Sequence, residues 1–266
     1  MTSKAESRGY TRLLFEQEDA VLRVLLNMPA ARNALDLEVR PELIEVFRKL
    51  NNDDSVKVVI LAGVGDHFCG GSDVRSMQEI AGPVGARKRM KLGQRLIQNM
   101  VNLEKPIIAQ VDGAAAGAGV SLALAADLII ASDRAKFFFS FVKVGLTPDW
   151  GQYYFLPLRI GMARAKELMF TGGPLGAEEA ARMGMVNRVV PADQLAQEAW
   201  AWAKSLAQGP SQAYALAKAA LNCWPMGLNN FLELEASVQA VALNSQDFRE
   251  GRDAFLEKRK PRFQGE

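Results

Sequence analysis

Two apolar runs, each leading through a loop of small residues into a helix, constrain the fold of this chain more than any other feature. Residues 56–62 read VKVVILA and residues 106–111 read PIIAQV. Such continuous apolar runs are typical of strands that are buried on both faces, as in parallel sheets covered by helices. The loops HFCGGSD (residues 67–73) and DGAAAGAG (residues 112–119) follow them. The alternation predicts an α/β fold.

The flanking segments extend this pattern. A hairpin is predicted from residues 10–16 and 20–26, and then a loop at residues 27–36 whose Asp36 is suited to cap a helix. Further helices are predicted near Val74 and over residues 87–103, with a loop at residues 82–85 between them. Beyond Gly151 we expect a mainly helical layer that packs on the core, on a neighbouring subunit or on both. Its predicted helices cover residues 162–170, 177–183, 192–208, 211–222, 228–244 and 247–258, with one short strand at residues 185–190.

The composition excludes several classes of function. Hydrophobic residues make up 49% and charged residues 23% of the 266 residues, and the net charge is +2. This balance argues against a nucleic-acid or membrane surface, so neither partner is expected. Cys69 and Cys223 match no metal spacing and no disulfide framework, and therefore no metal site is expected. Together with an N-terminal segment that lacks an apolar core, these features predict a cytoplasmic protein.

The two loops of small residues are candidates for a functional site. Each opens a helix, whose first N–H groups lack intrahelical partners, and missing side chains let a ligand approach them closely. Two such loops facing one another would form an oxyanion hole. Glycines that allow tight helix–strand packing are the structural alternative. Neither loop matches GxGxxG with a following acidic residue or a P-loop, which disfavours nucleotide binding.

A set of motifs spanning almost the whole chain resembles one family. The motifs occur in the family's order: NMPAARNALD, VVILAGVGDHFCGGSDV, KPIIAQVDGAAAGAGVSLALAADLIIAS, FVKVGLTPDWG, ELMFTGGPLGAEEAARMGMVNRVVP and FREGRDAFLEKRKPRF. They resemble the crotonase, or enoyl-CoA hydratase/isomerase, superfamily. The resemblance implies a spiral of ββα turns at residues 1–200 and a C-terminal helical trimerisation region at residues 201–266. It also implies a homotrimer or dimer of trimers.

The resemblance further implies an acyl-CoA substrate, with coenzyme A as part of the thioester rather than as a cofactor. The thioester oxygen would lie between the main-chain N–H groups of Ser72 and Ala118. Two glutamates that the family's hydratases use would fall at Ser121 and Phe141. Serine and phenylalanine cannot hold and activate water as paired carboxylates do, so a typical hydratase is not expected.

Asp149, in TPDWG, matches the aspartate of the branch that resembles 1,2-epoxyphenylacetyl-CoA isomerase and related enoyl-CoA isomerases. The implied function is an acyl-CoA isomerase that shifts a double bond, or rearranges an epoxidised ring acyl group, in fatty acid or aromatic acid metabolism. One aspartate would act as acid and base. Apolar surroundings would raise its pKa, and the nearby aromatic residues are Phe137, Phe138, Phe139, Phe141, Trp150, Tyr153 and Tyr154.

Three alternatives remain open at this point. Asp149 could act as the nucleophile of an acyl-CoA dehalogenase or hydrolase. The chain could be a non-catalytic family member that binds CoA, or RNA through the basic residues at 87–95, although a solvated helix face is the simpler interpretation of those charges. Asp149 could also merely cap a helix that begins near Trp150.

The remaining site predictions concern contacts with the substrate. His67 is interpreted as a loop surface residue and Cys69 as a small buried one without nucleophilic surroundings. The bulk of Trp150 next to Asp149 predicts an altered acyl specificity. By resemblance, the residues expected to contact the acyl group or CoA are Arg32, Gly70, Asp73, Val74, Arg75, Phe141, Trp150, Phe255 and Lys258.

Overall fold

The computed structural model describes residues 5–73 and 82–265. Its N-terminal hairpin pairs β1 (Leu13–Glu18) antiparallel with β2 (Val21–Leu26). The hairpin prediction is confirmed, but the turn lies at Asp19 and Ala20 rather than at residues 17–19, and Asp19 has a left-handed φ of 51°. β2 also pairs parallel with the next strand of the main sheet, and this pairing joins the hairpin to the core.

The main sheet has six strands, with β1 at one edge and β2 next to it. β3 (Val58–Gly63) and β4 (Ile107–Val111) are the two apolar runs, and they pair parallel with each other. β6 (Leu128–Ser132) and β9 (Arg188–Val190) extend the sheet, again parallel. The predicted α/β class is confirmed.

A second sheet of three strands includes residues of the second loop of small residues. β5 (Ala114–Ala116) pairs parallel with β7 (Lys136–Phe138), and β7 pairs antiparallel with β8 (Pro174–Gly176). β5 leads directly into α3 (Ala118–Leu124), every residue of which is buried. The second loop of small residues (residues 112–119) thus joins a strand of the second sheet to a helix of the core.

Helices cover both faces of the main sheet. Alternate strand residues separate the two faces, so that Val59 and Leu61 join one apolar cluster while Val58 and Ile60 join the other. α1 (Val39–Leu50), α2 (Gly82–Val101) and α3 contribute to the first cluster. α7 (Leu195–Ala207) covers the second face.

The predictions for the N-terminal helices hold with one correction. Asp36 caps α1 as predicted, since its Oδ1 accepts hydrogen bonds from the N–H groups of Glu38 and Val39 at 2.9 and 2.8 Å. Residues 82–85, predicted as a loop, belong to α2 instead, because the flanking helix overrides the two glycines. The helix predicted near Val74 lies outside the described residues.

The strand predicted at residues 185–190 is confirmed as β9, whereas β8 and α4 (Gln152–Ile160) were not predicted. The other helices of the C-terminal region lie close to the predicted ones. They are α5 (Met162–Thr171), α6 (Ala177–Arg182), α7, α8 (Ser211–Leu221), α9 (Leu228–Leu243) and α10 (Gln246–Leu256). In the part of the chain that the structure describes, no helix is long and apolar enough to cross a membrane. The division at residue 200 stays a prediction.

Candidate active site

The two loops of small residues contact each other along their backbones. Cys69 N–H donates to Ala114 O at 3.1 Å, and Ala116 N–H donates to Cys69 O at 2.9 Å. The approach is so close that a Cβ on Gly119 would lie 2.4 Å from Cys69 O. Only glycine fits at this contact, so tight packing accounts for Gly119. The same packing brings the two loops together.

The N–H groups of Ser72 and Ala118 have the surroundings that an oxyanion hole requires. Gly71, at φ 90°, packs against the second loop, and a Cβ built on it would lie 3.7 Å from Ala118 N. Ala118 is the first residue of α3, where N–H groups lack intrahelical acceptors. Within the described part of the chain, neither Ser72 N–H nor Ala118 N–H donates to another protein group. Their role as substrate donors stays a prediction.

Asp149 lies beside these loops and is held by its backbone. Ser121, fully buried in α3, donates its Oγ–H to Asp149 O at 2.9 Å, and Gln152 N–H donates to the same oxygen at 3.1 Å. α4 begins after Gly151 without a side-chain cap. The cap alternative for Asp149 is therefore wrong, and the carboxylate is left for another role.

Burial raises the pKa of the Asp149 carboxyl towards neutral pH, which suits the carboxylate to act as a base. Its Oδ1 is buried, with no hydrogen-bond partner among the described residues. Desolvation raises the pKa of Asp149 to about 6, against a smaller lowering by the positive charges of Arg40 and Arg89. The predicted direction is correct, but two of the predicted neighbours are not responsible. Tyr153 and Tyr154 are 57% and 44% exposed, because they lie on the solvent face of α4.

Arg40 and Arg89 were not identified from the sequence. Arg40 is 1% exposed; its Nη2 donates to Ser72 Oγ and Leu35 O, both at 3.1 Å. Arg89 is buried in α2, whereas its neighbours Arg87, Lys88, Lys91 and Arg95 are exposed. The solvated-face interpretation of the basic run therefore fails for Arg89 alone. The burial of Arg40 could have been inferred from its position in the sequence. It lies three residues before Leu43 and seven before Phe47, and therefore on the same buried face of α1.

Phe141 and Trp150 are both buried near the loops. Phe141 lies in a 3-10 helix (Ser140–Val144), and a Cβ on Gly117 would lie 3.7 Å from its ring. Trp150 has a left-handed φ of 53° and its ring packs between α1 and α2, where a Cβ on Gly93 would lie 2.0 Å from its Nε1. The positions fit an acyl pocket next to Asp149, although substrate contact by either residue stays a prediction.

Several residues predicted to contact CoA lie in the first loop or next to it. Gly70 N–H donates to Arg32 O at 2.7 Å, which joins these two residues. Asp73 lines a cleft of about 610 Å³ together with residues of the loop at 27–36. Val74 and Arg75 lie outside the described residues. Of this group, Asp73 lines the cleft next to the first loop, and contact of these residues with CoA stays a prediction.

Phe255 and Lys258 are the predicted residues that the fold does not bring to this site. Phe255, in the last turn of α10, is 82% exposed, and Lys258 follows it at φ 54°. α10 packs against α9 in the C-terminal region. Their predicted role would require a neighbouring subunit.

Three further polar residues hold the loops. His67, predicted at the loop surface, is half-buried, and its Nδ1 accepts the Ala114 N–H at 3.2 Å. That prediction missed its structural role between the two loops. Asn33 is fully buried and its Nδ2 donates to Val64 O and His67 O. Cys69 is fully buried as predicted, and burial raises the pKa of its thiol to about 12, which makes it a poor nucleophile.

The fold and these loops define an α/β protein whose site joins two loops of small residues to one half-buried carboxylate. Residues 16–266 match the model of the enoyl-CoA hydratase/isomerase family. The 1,2-epoxyphenylacetyl-CoA isomerase of Escherichia coli K12 is 37% identical over 95% of this chain and 98% of its own. A probable enoyl-CoA hydratase of Rhodobacter capsulatus is 38% identical over 97% and 99%. The crotonyl-CoA hydratase of Syntrophomonas wolfei is 35% identical over 96% and 98%.

Solved structures agree with the sequence matches. An enoyl-CoA hydratase/isomerase from Cupriavidus metallidurans superposes with a TM-score of 0.92 at 38% identity, covering 97% of this chain and 98% of the other. A structure described as a putative enoyl-CoA hydratase from Streptomyces coelicolor gives 0.93 at 33% identity, covering 100% and 98%. The chain belongs to the enoyl-CoA hydratase/isomerase family and is an enzyme of the crotonase superfamily, with the crotonase fold.

Proposed function

We propose that this enzyme is an acyl-CoA isomerase in which Asp149 is the single acid–base group. The observation that carries the proposal is the Asp149 carboxylate, half-buried beside the paired loops, whose pKa is raised by desolvation to about 6. A base of this acidity is ionised at neutral pH and returns its proton readily. The similarity to a 1,2-epoxyphenylacetyl-CoA isomerase supports the assignment.

The proposed reaction moves one proton. The thioester oxygen accepts hydrogen bonds from Ser72 N–H and Ala118 N–H. Asp149 removes a proton from a carbon made acidic by the thioester, and the electron pair passes to that oxygen as an enolate. The protonated Asp149 then returns the proton to a different carbon, which shifts the double bond. Each donor of an oxyanion hole typically contributes about 3 to 4 kcal/mol to such a transition state.

Water addition has no comparable support from the side chains. Ser121 and Phe141 stand where the family's hydratases carry glutamates, and Ser121 Oγ donates to backbone oxygen in a fully buried position. Neither group can activate water. Relatives named hydratases are as similar to this chain as the isomerase is, so the argument rests on these two positions rather than on overall identity.

Asp149→Asn tests the assignment. The variant keeps the side-chain shape but cannot accept the proton, so we expect isomerisation of unsaturated acyl-CoAs to fall by at least about 1,000-fold while acyl-CoA affinity, measured by calorimetry, is retained. Ser55→Ala is the control, because Ser55 is exposed and belongs to neither loop of small residues. An unchanged rate would contradict the proposal. A covalent adduct on Asp149, seen by mass spectrometry, would favour a dehalogenase or hydrolase instead.

The quaternary structure forms part of the same proposal. α9 has no buried residue although it is rich in leucine and valine, and Phe255 on α10 is exposed. We expect these helices to pack on neighbouring subunits in a homotrimer or dimer of trimers, with Phe255 and Lys258 reaching the CoA bound by another subunit. A cytoplasmic location, and a role in fatty acid or aromatic acid metabolism, complete the proposal.

A further inference from the structure

The buried arginine of α1 is unusual in its position. Arg40 occupies the apolar face of an amphipathic helix, among Val39, Leu43 and Phe47. Burying a guanidinium is costly, and desolvation lowers the pKa of Arg40 from its ordinary value to about 10. A leucine or methionine would satisfy the helix pattern without that cost. The charge therefore needs an explanation in what it contacts.

The contacts of Arg40 join the two halves of the site. Its Nη2 donates to Ser72 Oγ and to Leu35 O, and Leu35 N–H donates in turn to Gly71 O at 2.7 Å. These bonds hold the first oxyanion loop against α1. On the other side, the guanidinium carbon lies 5.4 Å from the centre of the Trp150 ring, which directly follows Asp149 in sequence. One side chain thus contacts both the loop that presents Ser72 N–H and the segment that presents the base.

We propose that Arg40 is a positioning residue of this reaction, which aligns the Ser72 loop through hydrogen bonds and supports the Asp149 carboxylate through its charge. The inference rests on the proposed function for its catalytic consequence. It assigns the Ser72 hydroxyl a role as acceptor for Arg40, in addition to the main-chain role of that residue. It also explains how a carboxylate without a hydrogen-bond partner for Oδ1 is tolerated in a buried site.

The charged groups that act on Arg40 and Asp149 in the described part of the chain come from few elements. Among the described residues, Asp149 faces Arg40 of α1 and Arg89 of α2. Arg40 faces Asp149, Arg89, Asp36 and the Cys69 thiol, and Arg89 faces Asp73 and Asp149. In the described part of the chain, removing the Arg40 charge leaves Arg89 as the cation that acts on Asp149. The carboxylate form becomes less favourable, so the pKa of Asp149 rises.

Two substitutions separate the charge from the hydrogen bonds. Arg40→Met removes both while keeping the length of the side chain, and Arg40→Lys keeps the charge but loses the planar fork. For the methionine variant we expect the acid limb of kcat/KM to move up by about 1 pH unit and the plateau at high pH to fall by about tenfold. For the lysine variant, only the plateau should fall. Ser72→Ala removes just the acceptor and should resemble the lysine variant.

A second measurement does not depend on turnover. The rate at which a water-soluble carbodiimide modifies Asp149, followed against pH by peptide mass spectrometry, reports the protonated carboxyl. Its midpoint should rise in Arg40→Met and stay near that of the wild type in Arg40→Lys. Arg159→Met is the matched control, because Arg159 is a largely buried arginine that bonds three main-chain oxygens and faces Asp127 rather than Asp149. Circular dichroism checks that each variant folds.

Distinct results would overturn the two proposals. An unmoved carbodiimide midpoint and an unmoved acid limb in a folded Arg40→Met protein would refute the role of the charge. A kcat/KM plateau at the wild-type level in both Arg40→Lys and Ser72→Ala would refute the proposal that Arg40 aligns the Ser72 loop. These two variants test that proposal even if Arg40→Met does not fold. Absence of isomerase activity in the wild type refutes the proposed function, whereas the carbodiimide titration still tests Arg40.

Discussion

At the scale of single residues, Asp149 should set the pH dependence of the reaction. The base must be ionised, and burial raises its pKa to about 6. We expect kcat/KM to rise with pH through about 6 and to lose about tenfold for each pH unit below it. The profile is measured with a substrate that does not titrate in this range. An acid limb centred near 4 would show that Asp149 is not desolvated in solution.

The same burial has a cost in stability. A carboxyl whose pKa is raised in the folded state stabilises the fold below its unfolded value, and this contribution is lost as pH rises through about 6. Asp149→Asn should therefore raise the free energy of unfolding at pH 8, by about 3 kcal/mol at most, and leave it nearly unchanged at pH 3. Thermal unfolding at the two pH values measures the difference. A variant that is less stable at pH 8 would contradict the desolvation argument.

Ser121 positions Asp149 through its backbone, which sequence comparison alone did not reveal. Without the Ser121 hydroxyl, the bond from Gln152 N–H is the one that Asp149 O retains within the described residues. We expect Ser121→Ala to lower kcat by about fivefold, corresponding to about 1 kcal/mol, with KM little changed. Ser121→Thr, which retains the hydroxyl, is the control. An unchanged kcat would show that Gln152 holds the segment by itself.

At the scale of elements, α2 is shaped around Trp150. Gly93 leaves the space that the indole ring fills, and a Cβ there would lie 2.0 Å from Trp150 Nε1. Alanine favours a helix by about 1 kcal/mol over glycine, but the ring is buried and cannot move freely. Gly93→Ala should therefore destabilise the protein by about 1 to 3 kcal/mol and lower activity by displacing Trp150.

Chemical denaturation and tryptophan fluorescence measure the effect of Gly93→Ala. Gly176→Ala is the control, because Gly176 has φ −73° and a Cβ there would meet nothing within 4 Å. A Gly93→Ala protein as stable as the control would mean that α2 and the indole separate more easily than their packing indicates.

At the scale of the whole molecule, the exposed face of α9 should govern assembly. Leu228 and Leu232 lie one turn apart and are both exposed. Replacing both by serine should shift the particle in light scattering towards the 29.1 kDa of one chain while each subunit stays folded. Leu37→Ser, at another exposed leucine, should leave the particle unchanged. Assembly that survives both changes would place the subunit contacts elsewhere.

Much of this protein is determined by local sequence. The apolar runs at β3 and β4, the cap at Asp36 and the helical periodicity of the C-terminal region fix the elements, because they act within a few residues of one another. The loops of small residues and Asp149 were also predictable, since each lies in a short motif. Misjudged details, such as residues 82–85, arise where a neighbouring helix overrides local preference.

The tertiary structure alone decided how these parts cooperate. Arg40 and Arg89 come from separate helices, and Ser121 lies 28 residues from the carbonyl that it holds, so no local pattern links them to Asp149. The raised pKa of Asp149 likewise depends on desolvation that the fold produces, and two of the aromatic residues predicted to surround it, Tyr153 and Tyr154, are exposed. Electrostatics and burial act through space; sequence spacing therefore shows which groups are available, while the fold determines what they do.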